Sequence, residues 1–156
     1  STPIKRWEIV TGYMVGFGAV TVVQAAIITF YIIYVLNVIM VGSLWLVMLM
    51  TLLSAMTALS LGILLSTAAS SEFQMIQFIP IVIVPQVFFT GLFDLSPGWA
   101  AVGKIMPIYY VADALDKIMI RGSGFGPIAL DVIILLGLTG AFMAANTLLL
   151  KRYRRI

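Results

Sequence analysis

Residues 9–71 carry no charged side chain and read IVTGYMVGFGAVTVVQAAIITFYIIYVLNVIMVGSLWLVMLMTLLSAMTALSLGILLSTAASS. A helix that crosses a bilayer needs about 20 mostly apolar residues, so this stretch is long enough for two crossings. Two further uncharged runs, 73–93 and 132–150, each fit one crossing. The sequence therefore predicts an all-α membrane protein with about four transmembrane helices.

The composition agrees with this class and excludes several others. Of the 156 residues, 62% are hydrophobic and 10% are charged, whereas soluble domains average about 45–50% and about 25%. The sequence contains no Cys and no His, so disulfides, thiolate nucleophiles and histidine-ligated metals are excluded. No predicted span has an acidic residue near its centre, which argues against ion coupling within this chain. We expect no catalytic, cofactor or metal site here, and no nucleic-acid partner.

Turn signals divide the chain into segments. Asn37 and the Gly42-Ser43 pair separate the first two crossings. The predicted segments are an amphipathic amino-terminal helix (1–12), four spans (13–36, 44–66, 75–93 and 127–150), a re-entrant or interfacial segment on the outer face (94–126) and a basic tail (151–156). Basic residues precede the first span and follow the fourth, so the positive-inside rule places both ends in the cytoplasm. The chain begins with Ser rather than Met, and we expect it to be a fragment of a longer protein.

The outer segment is predicted to contain two short helices. Residues 100–106 form the first, which Pro107 ends, and residues 109–120 form the second. The second helix presents Asp113, Asp116 and Lys117 on a polar face. Asp131, at the outer end of the fourth span, is expected to reach the membrane interface.

Small residues recur at four-residue spacing on three of the spans. Membrane helices pack through such faces because lipid supplies no hydrophobic drive between helices. We expect packing within one subunit, with packing against a second copy as the alternative. The packing candidates are Gly12, Gly16, Ser54, Ala58, Gly62, Ser66, Gly137 and Gly140.

Pro80 and Pro85 lie inside the third span. Each proline removes a helical hydrogen bond. This is consistent with an ordinary kink fixed by packing, and a flexible helix beside a transport pathway is the alternative. The outer segment is interpreted as a plug or gate, or else as a surface cap on the headgroups. The pathway and gate candidates are Gln24, Gln77, Pro80, Pro85, Phe88, Phe89, Gly91, Trp99, Pro107 and Tyr109.

Several short motifs follow one another along the chain. They are TPIKRWEI (2–9), LGILLS (61–66), SEFQ (71–74), TGLF (90–93), LSPGW (95–99), PIYY (107–110) and IRG (120–122). Their order and spacing resemble the permease subunits of type-2 ATP-binding-cassette (ABC) exporters, the family of drug-resistance and polysaccharide-export permeases. Each motif alone is weak, and the specificity lies in their combination.

This resemblance implies six spans per subunit, so the chain would hold spans three to six and lack the first two. It also implies a homo- or heterodimer of permeases on two cytoplasmic ATPase subunits, which would bind ATP-Mg. The linker before the third span docks onto the ATPase in this family, and Glu72 and Gln74 match its next cytoplasmic turn. The matching linker residues, and thus the coupling candidates, are Pro3, Lys5, Arg6, Trp7 and Glu8.

The function that follows is export of an amphipathic, drug-like or lipid-linked molecule across a prokaryotic plasma (inner) membrane. The chain itself is then a permease and not an enzyme, and it lacks the phosphate-binding loop of ATPases. A scaffold that anchors a partner complex through the basic tail is the alternative. A passive channel is disfavoured because the spans offer no charged ring to line a pore.

Overall fold

The computed structural model describes residues 5–153, and Pro3 lies outside them. The described part of the chain contains six α-helices and no strand, which confirms the all-α prediction. A π-helical segment, Tyr31–Val35, continues the first helix. The helices are α1 (Arg6–Phe30), α2 (Leu44–Ala68), α3 (Glu72–Phe88), α4 (Pro97–Gly103), α5 (Pro107–Met119) and α6 (Phe125–Tyr153).

Three of these helices are long and apolar enough to cross a membrane: Trp7–Val35, Leu44–Ala68 and Phe125–Lys151. The predicted third span, 75–93, is instead the 17-residue helix α3. At 1.5 Å per residue α3 is about 25 Å long, a little less than a hydrocarbon core of about 30 Å. It ends early because Gly91, at a φ of 86°, turns the chain away from the helix axis.

The amino-terminal segment does not form a helix of its own. Residues 6–12 continue into the first span as one helix, and no glycine or proline pair breaks the backbone between them. The helix begins at a capping turn in which the backbone N–H of Lys5 donates to Glu8 Oε2 at 2.9 Å. Any movement of this first turn therefore passes directly into the membrane-spanning part of α1.

Helix α2 lies at the centre and contacts α1, α5 and α6. Threonine pairs join the spans: the Thr29 hydroxyl donates to Thr51 at 3.2 Å, and Thr57 and Thr139 share a hydrogen bond of 2.8 Å. Such side-chain bonds between helices help membrane bundles to associate. Since α1 runs antiparallel to α2 and α6 runs parallel to it, Arg6 and Tyr153 lie at the same end of the bundle.

The other end of the bundle contains the apolar core. There α5 packs across the amino-terminal ends of α2 and α6, and Gly42 lies directly against the carbonyl of Ile118. A Cβ at Gly42 would overlap that backbone oxygen, so any larger residue would force the turn and α5 apart. The buried members of the core are Val47, Met50, Val111, Ala114, Ile118, Ile128, Val132 and Leu135.

The two short outer helices both begin at a proline. Pro97 opens α4 and Pro107 opens α5, because proline at the first helical position lacks only an N–H that would have no partner there. We predicted Pro107 as the end of the first short helix, whereas it begins the second, and the predicted starts of both helices are two to three residues too late. The pair of short helices that we predicted between the third and fourth spans is confirmed.

Candidate functional site

A groove of about 460 Å³ lies between α2 and α3, and α5 closes its outer end. Its walls are almost entirely apolar, with Leu61 and Leu65 on one side and Ile79 and Ile83 on the other. Ligand sites are typically concave, mostly apolar and furnished with a few polar groups. The polar members here are Ser54, Thr57, Gln86 and Thr90.

The small residues of α2 form one wall of this groove. Ser54, Ala58 and Gly62 all line it, and a Cβ at Gly62 would meet no atom within 4 Å. Among the described residues this part of the stripe therefore faces open space instead of a packed helix. The small side chains make the groove wide, which is a role that the sequence analysis did not foresee.

The other small-residue candidates show the same openness. A Cβ at Gly12, Gly16, Gly137 or Gly140 would contact nothing within 4 Å in the described part of the chain. Gly12 and Gly16 lie in a shallow groove on the outer side of α1, and Ser66 is exposed at the end of α2. The expected packing within one subunit is thus not found at these glycines, and packing against a second copy stays a prediction.

Helix α3 forms the opposite wall and runs without interruption through Pro80 and Pro85. Its Gln86 amide donates to the carbonyl of Val82 at 3.0 Å, which holds the side chain along the helix beside the groove. No side chain of α3 is fully buried. The helix is therefore the least firmly held wall of the groove.

A second cavity, of about 370 Å³, lies at the outer end of α3. It brings Trp99 of α4 together with three gate candidates from the end of α3, Pro85, Phe88 and Phe89. Phe89 is buried against Gly103 of α4, where a Cβ would stand 2.9 Å from the Phe89 ring. The aromatic ring thus ties the end of α3 to α4 across the Gly91 turn.

The remaining pathway candidates are dispersed. Gln24 and Gln77 are exposed on α1 and α3, Pro80 is exposed on α3, and Tyr109 packs edge-on against Tyr110 at 5.2 Å between ring centroids. None of these four lines either of the two cavities described above. Pro107, by contrast, lies in the roof of the groove between α2 and α3.

The coupling candidates that the structure describes, residues 5–8, lie at the same end of the bundle as the carboxy-terminal end of α6. Lys5, Trp7 and Glu8 are exposed in the described residues, and Trp7 keeps 54% of its surface free. At the start of α3, Gln74 Oε1 accepts from the backbone and the hydroxyl of Ser70 at 2.8 and 2.6 Å. Glu72 occupies the first turn of α3, where an acidic side chain complements the helix dipole.

An ion-pair cluster joins α5 to α6 at the outer end. The Asp131 carboxylate is 2% exposed and accepts from Lys117 Nζ at 3.0 Å. Lys117 also pairs with Asp113, one turn earlier on α5. The hydrogen bond that Lys117 donates to Asp113 is the largest influence on the Lys117 pKa and raises it above the ordinary value of 10.5, against the opposing effect of burial. The ammonium is therefore charged at every physiological pH.

This cluster places the Asp131 carboxylate inside the fold, bonded to Lys117. That Asp131 lies near the membrane interface stays a prediction. An acidic residue at the start of an apolar run, with a lysine on the preceding amphipathic helix, is the signal that could have found the pair. The separate pair Arg121–Asp116, at 2.8 Å, is exposed near the carboxy-terminal end of α5. In α6, Asn146 is also buried, and its Oδ1 has no partner among the described residues.

A bundle of long apolar helices with a groove between two of them defines a polytopic α-helical membrane protein. The model of the ABC-2 type transporter family matches residues 1–120, so this chain belongs to that family. A curated relative, ABC transporter G family member 20 of Dictyostelium discoideum, is 30% identical over 125 residues. The match covers 78% of this chain and 17% of the relative. No solved structure matches the chain significantly.

Proposed function

We propose that this chain is the permease part of an exporter, with ATP-Mg bound and hydrolysed by an ATPase outside the chain. The family assignment makes it a membrane component of a transporter. The observation that carries the finer proposal is the groove of about 460 Å³ between α2 and α3, because it offers a path along the length of the bundle. The membrane is the prokaryotic plasma (inner) membrane in this proposal.

The lining of the groove supports an amphipathic, drug-like or lipid-linked cargo. Aliphatic side chains supply most of the surface, and Thr57, Gln86 and Thr90 add isolated hydroxyl and amide groups. A cargo with an apolar body and a few hydrogen-bonding groups suits such walls. A strongly charged cargo does not, because the lining residues include no ionised side chain to offset its desolvation.

A second permease copy completes the proposed assembly. The open glycines on α1 and α6 are the kind of surface on which membrane helices pack closely. The copy is a homo- or heterodimer partner, and each permease is coupled to its own ATPase. Exposed Trp7, at the same end of the bundle as Glu72, is the proposed centre of the coupling surface.

Filling the groove tests the proposal. Gly62→Leu puts an isobutyl side chain into open space on the groove wall, so the helix is kept and the passage is narrowed. The permease is reconstituted with its ATPase into vesicles, and ATP-dependent movement of a fluorescent phospholipid with an NBD-labelled head group is measured. We expect the rate to fall by about tenfold, while the temperature of thermal unfolding is unchanged.

Gly124→Leu is the matched control, because Gly124 is equally open but lies in the turn before α6, outside the groove and outside the proposed packing surface. It is expected to transport at the wild-type rate. Equal rates for the two variants would contradict a transport role for the groove. The scaffold alternative predicts no ATP-dependent movement in any variant, together with loss of partner binding when the basic tail that begins at Lys151 is removed.

A further inference from the structure

Helix α5 is held to the bundle by its whole apolar face. Val111, Ala114 and Ile118 are all nearly inaccessible and belong to one cluster with side chains of α2 and α6. The end of the helix is held as well, since the Met119 carbonyl accepts from the backbone N–H of Val41 at 2.9 Å. This combination of side-chain and backbone contacts fixes α5 against the two long helices.

The Lys117–Asp131 pair adds a contact that is sensitive to separation of the helices. Asp131 is buried on α6, and Lys117 of α5 is the donor that its carboxylate has in the described residues. Moving α5 away from α6 would leave a carboxylate in a poorly solvated place without its counter-ion, which is costly. Apolar side chains can slide past one another with little loss of free energy, whereas the Lys117–Asp131 pair forms in one relative position of α5 and α6.

Helices α3 and α4 are attached to the rest much more loosely. No side chain of α3 is fully buried, and in α4 only Gly103 is, beneath Phe89 of the α3 end. The turn between them contains Gly91 at a φ of 86°, and the Phe88 and Phe93 rings lie 5.3 Å apart across it. The contact of Phe89 with Gly103 joins α3 and α4 into one unit that can move against α5.

We propose that Lys117 and Asp131 form a clamp that makes α5 and α6 a fixed outer wall, and that the groove opens by movement of α3 together with α4 away from α5. This inference rests on the transport function proposed above, and it identifies α3 and α4 as the helices that move during transport. The outer plug is thus divided: α4 moves, whereas α5 does not.

Cysteine cross-linking tests this division, since the chain contains no Cys of its own. One pair, Leu115→Cys with Val132→Cys, joins α5 to α6 inside the shared cluster. The other, Val87→Cys with Ile108→Cys, joins α3 to α5 across the groove. The full permease with its ATPase is treated in vesicles with a short bifunctional methanethiosulfonate, with and without ATP and vanadate.

We expect the α5–α6 cysteines to cross-link at the same rate with and without ATP and vanadate. The variant that carries them should still transport the NBD-labelled phospholipid normally after cross-linking. The α3–α5 pair is expected to change its rate by about threefold on addition of ATP and vanadate. Transport by this pair should stop after cross-linking and return on reduction. Loss of transport in the cross-linked α5–α6 pair would overturn the proposal, as would an ATP-dependent rate at that pair.

The role of the clamp itself is tested in the α5–α6 cysteine background. Lys117→Met removes the ammonium, and the α5–α6 cross-linking rate should then depend on ATP. Arg121→Met, which breaks only the exposed pair between Asp116 of α5 and the turn after that helix, should leave the rate independent of ATP. An α5–α6 rate that stays independent of ATP in Lys117→Met would overturn the clamp.

The proposed function can fail separately from this inference. If the parent protein moves no phospholipid and neither cysteine pair responds to ATP, transport itself is contradicted and the clamp falls with it. If the parent protein transports and the α5–α6 pair moves, only the clamp is overturned. The stability of the variant with cysteines at the partly buried Leu115 and the buried Val132 is checked by thermal unfolding. The more exposed α3–α5 pair supplies an independent measurement.

Discussion

At the residue scale, pairs of polar side chains join helices of the bundle. Thr57 bonds to Thr139, and Lys117 bonds to Asp131. In a bilayer an unpaired polar group is costly, so each such contact fixes the register of two helices. The Lys117–Asp131 pair is the charged member of this set, and its removal should therefore have the largest effect.

We predict that Lys117→Met lowers the free energy of unfolding by about 2–3 kcal/mol, because Asp131 is left buried without a counter-ion. The value is below that of a fully buried pair because the Lys117 side chain is 23% exposed. Equilibrium unfolding in detergent, followed by circular dichroism, provides the measurement. The double variant Lys117→Met, Asp131→Leu should regain most of the loss, because two apolar side chains can replace a buried pair.

Arg121→Met is the control for this measurement. Its pair with Asp116 lies on the exposed side of α5, and exposed ion pairs contribute less than about 1 kcal/mol. Both single variants remove one positive charge, but the ion pair that is lost is partly buried in Lys117→Met and exposed in Arg121→Met. If they are equally stable, the pair between α5 and α6 does not hold the helices together.

At the element scale, the spans were predictable and their mutual arrangement was not. Hydropathy is a property of each segment alone, so the run 9–71 indicates two helices without knowledge of their neighbours. The groove depends on which face of α2 meets α6 and which face is left open, and that choice is made by contacts between distant residues. From the sequence, Gly62 is a small residue on a helix; that it lines an open groove instead of a helix contact is visible only in the structure.

The continuity of α1 is an element-scale property with a functional consequence. Trp7 stands exposed in the first turn, and the same helix reaches Phe30 at the opposite end without a break. A force applied at Trp7 therefore tilts the whole helix instead of bending a hinge. The predicted boundary at residue 12 follows a change in polarity along the sequence. The backbone stays helical through this position.

We predict that Trp7→Ala and Arg6→Glu weaken binding of the ATPase by about tenfold, since large side chains at the centre of an interface contribute most of its affinity. Co-purification and permease-stimulated ATP hydrolysis supply the two measurements. Trp45→Ala is the matched control, because Trp45 is also exposed but lies at the other end of the bundle. Wild-type affinity in Trp7→Ala and Arg6→Glu would remove the first turn of α1 from the coupling surface.

At the scale of the whole molecule, the order of the helices determines where the chain ends lie. Helix α1 rises along α2, α2 descends, α3 rises again and α6 descends parallel to α2, so the chain traverses the bundle an even number of times. The short length of α3 does not alter this parity, because its first residues line the inner part of the groove and Thr90, just beyond its end, lies under the α5 roof. Basic residues near both ends then favour a cytoplasmic location for this face.

We predict that both ends of the chain are labelled from the cytoplasmic side and the turn before α6 from the outside. Lys5→Cys, Lys151→Cys and Gly124→Cys are single-cysteine variants of a chain that has none, and each position is exposed. A membrane-impermeant thiol reagent is applied to intact cells and to inverted vesicles. Labelling of Lys5→Cys and Lys151→Cys from opposite sides would contradict the even number of crossings, whereas labelling of both from outside would keep the fold and reverse its orientation.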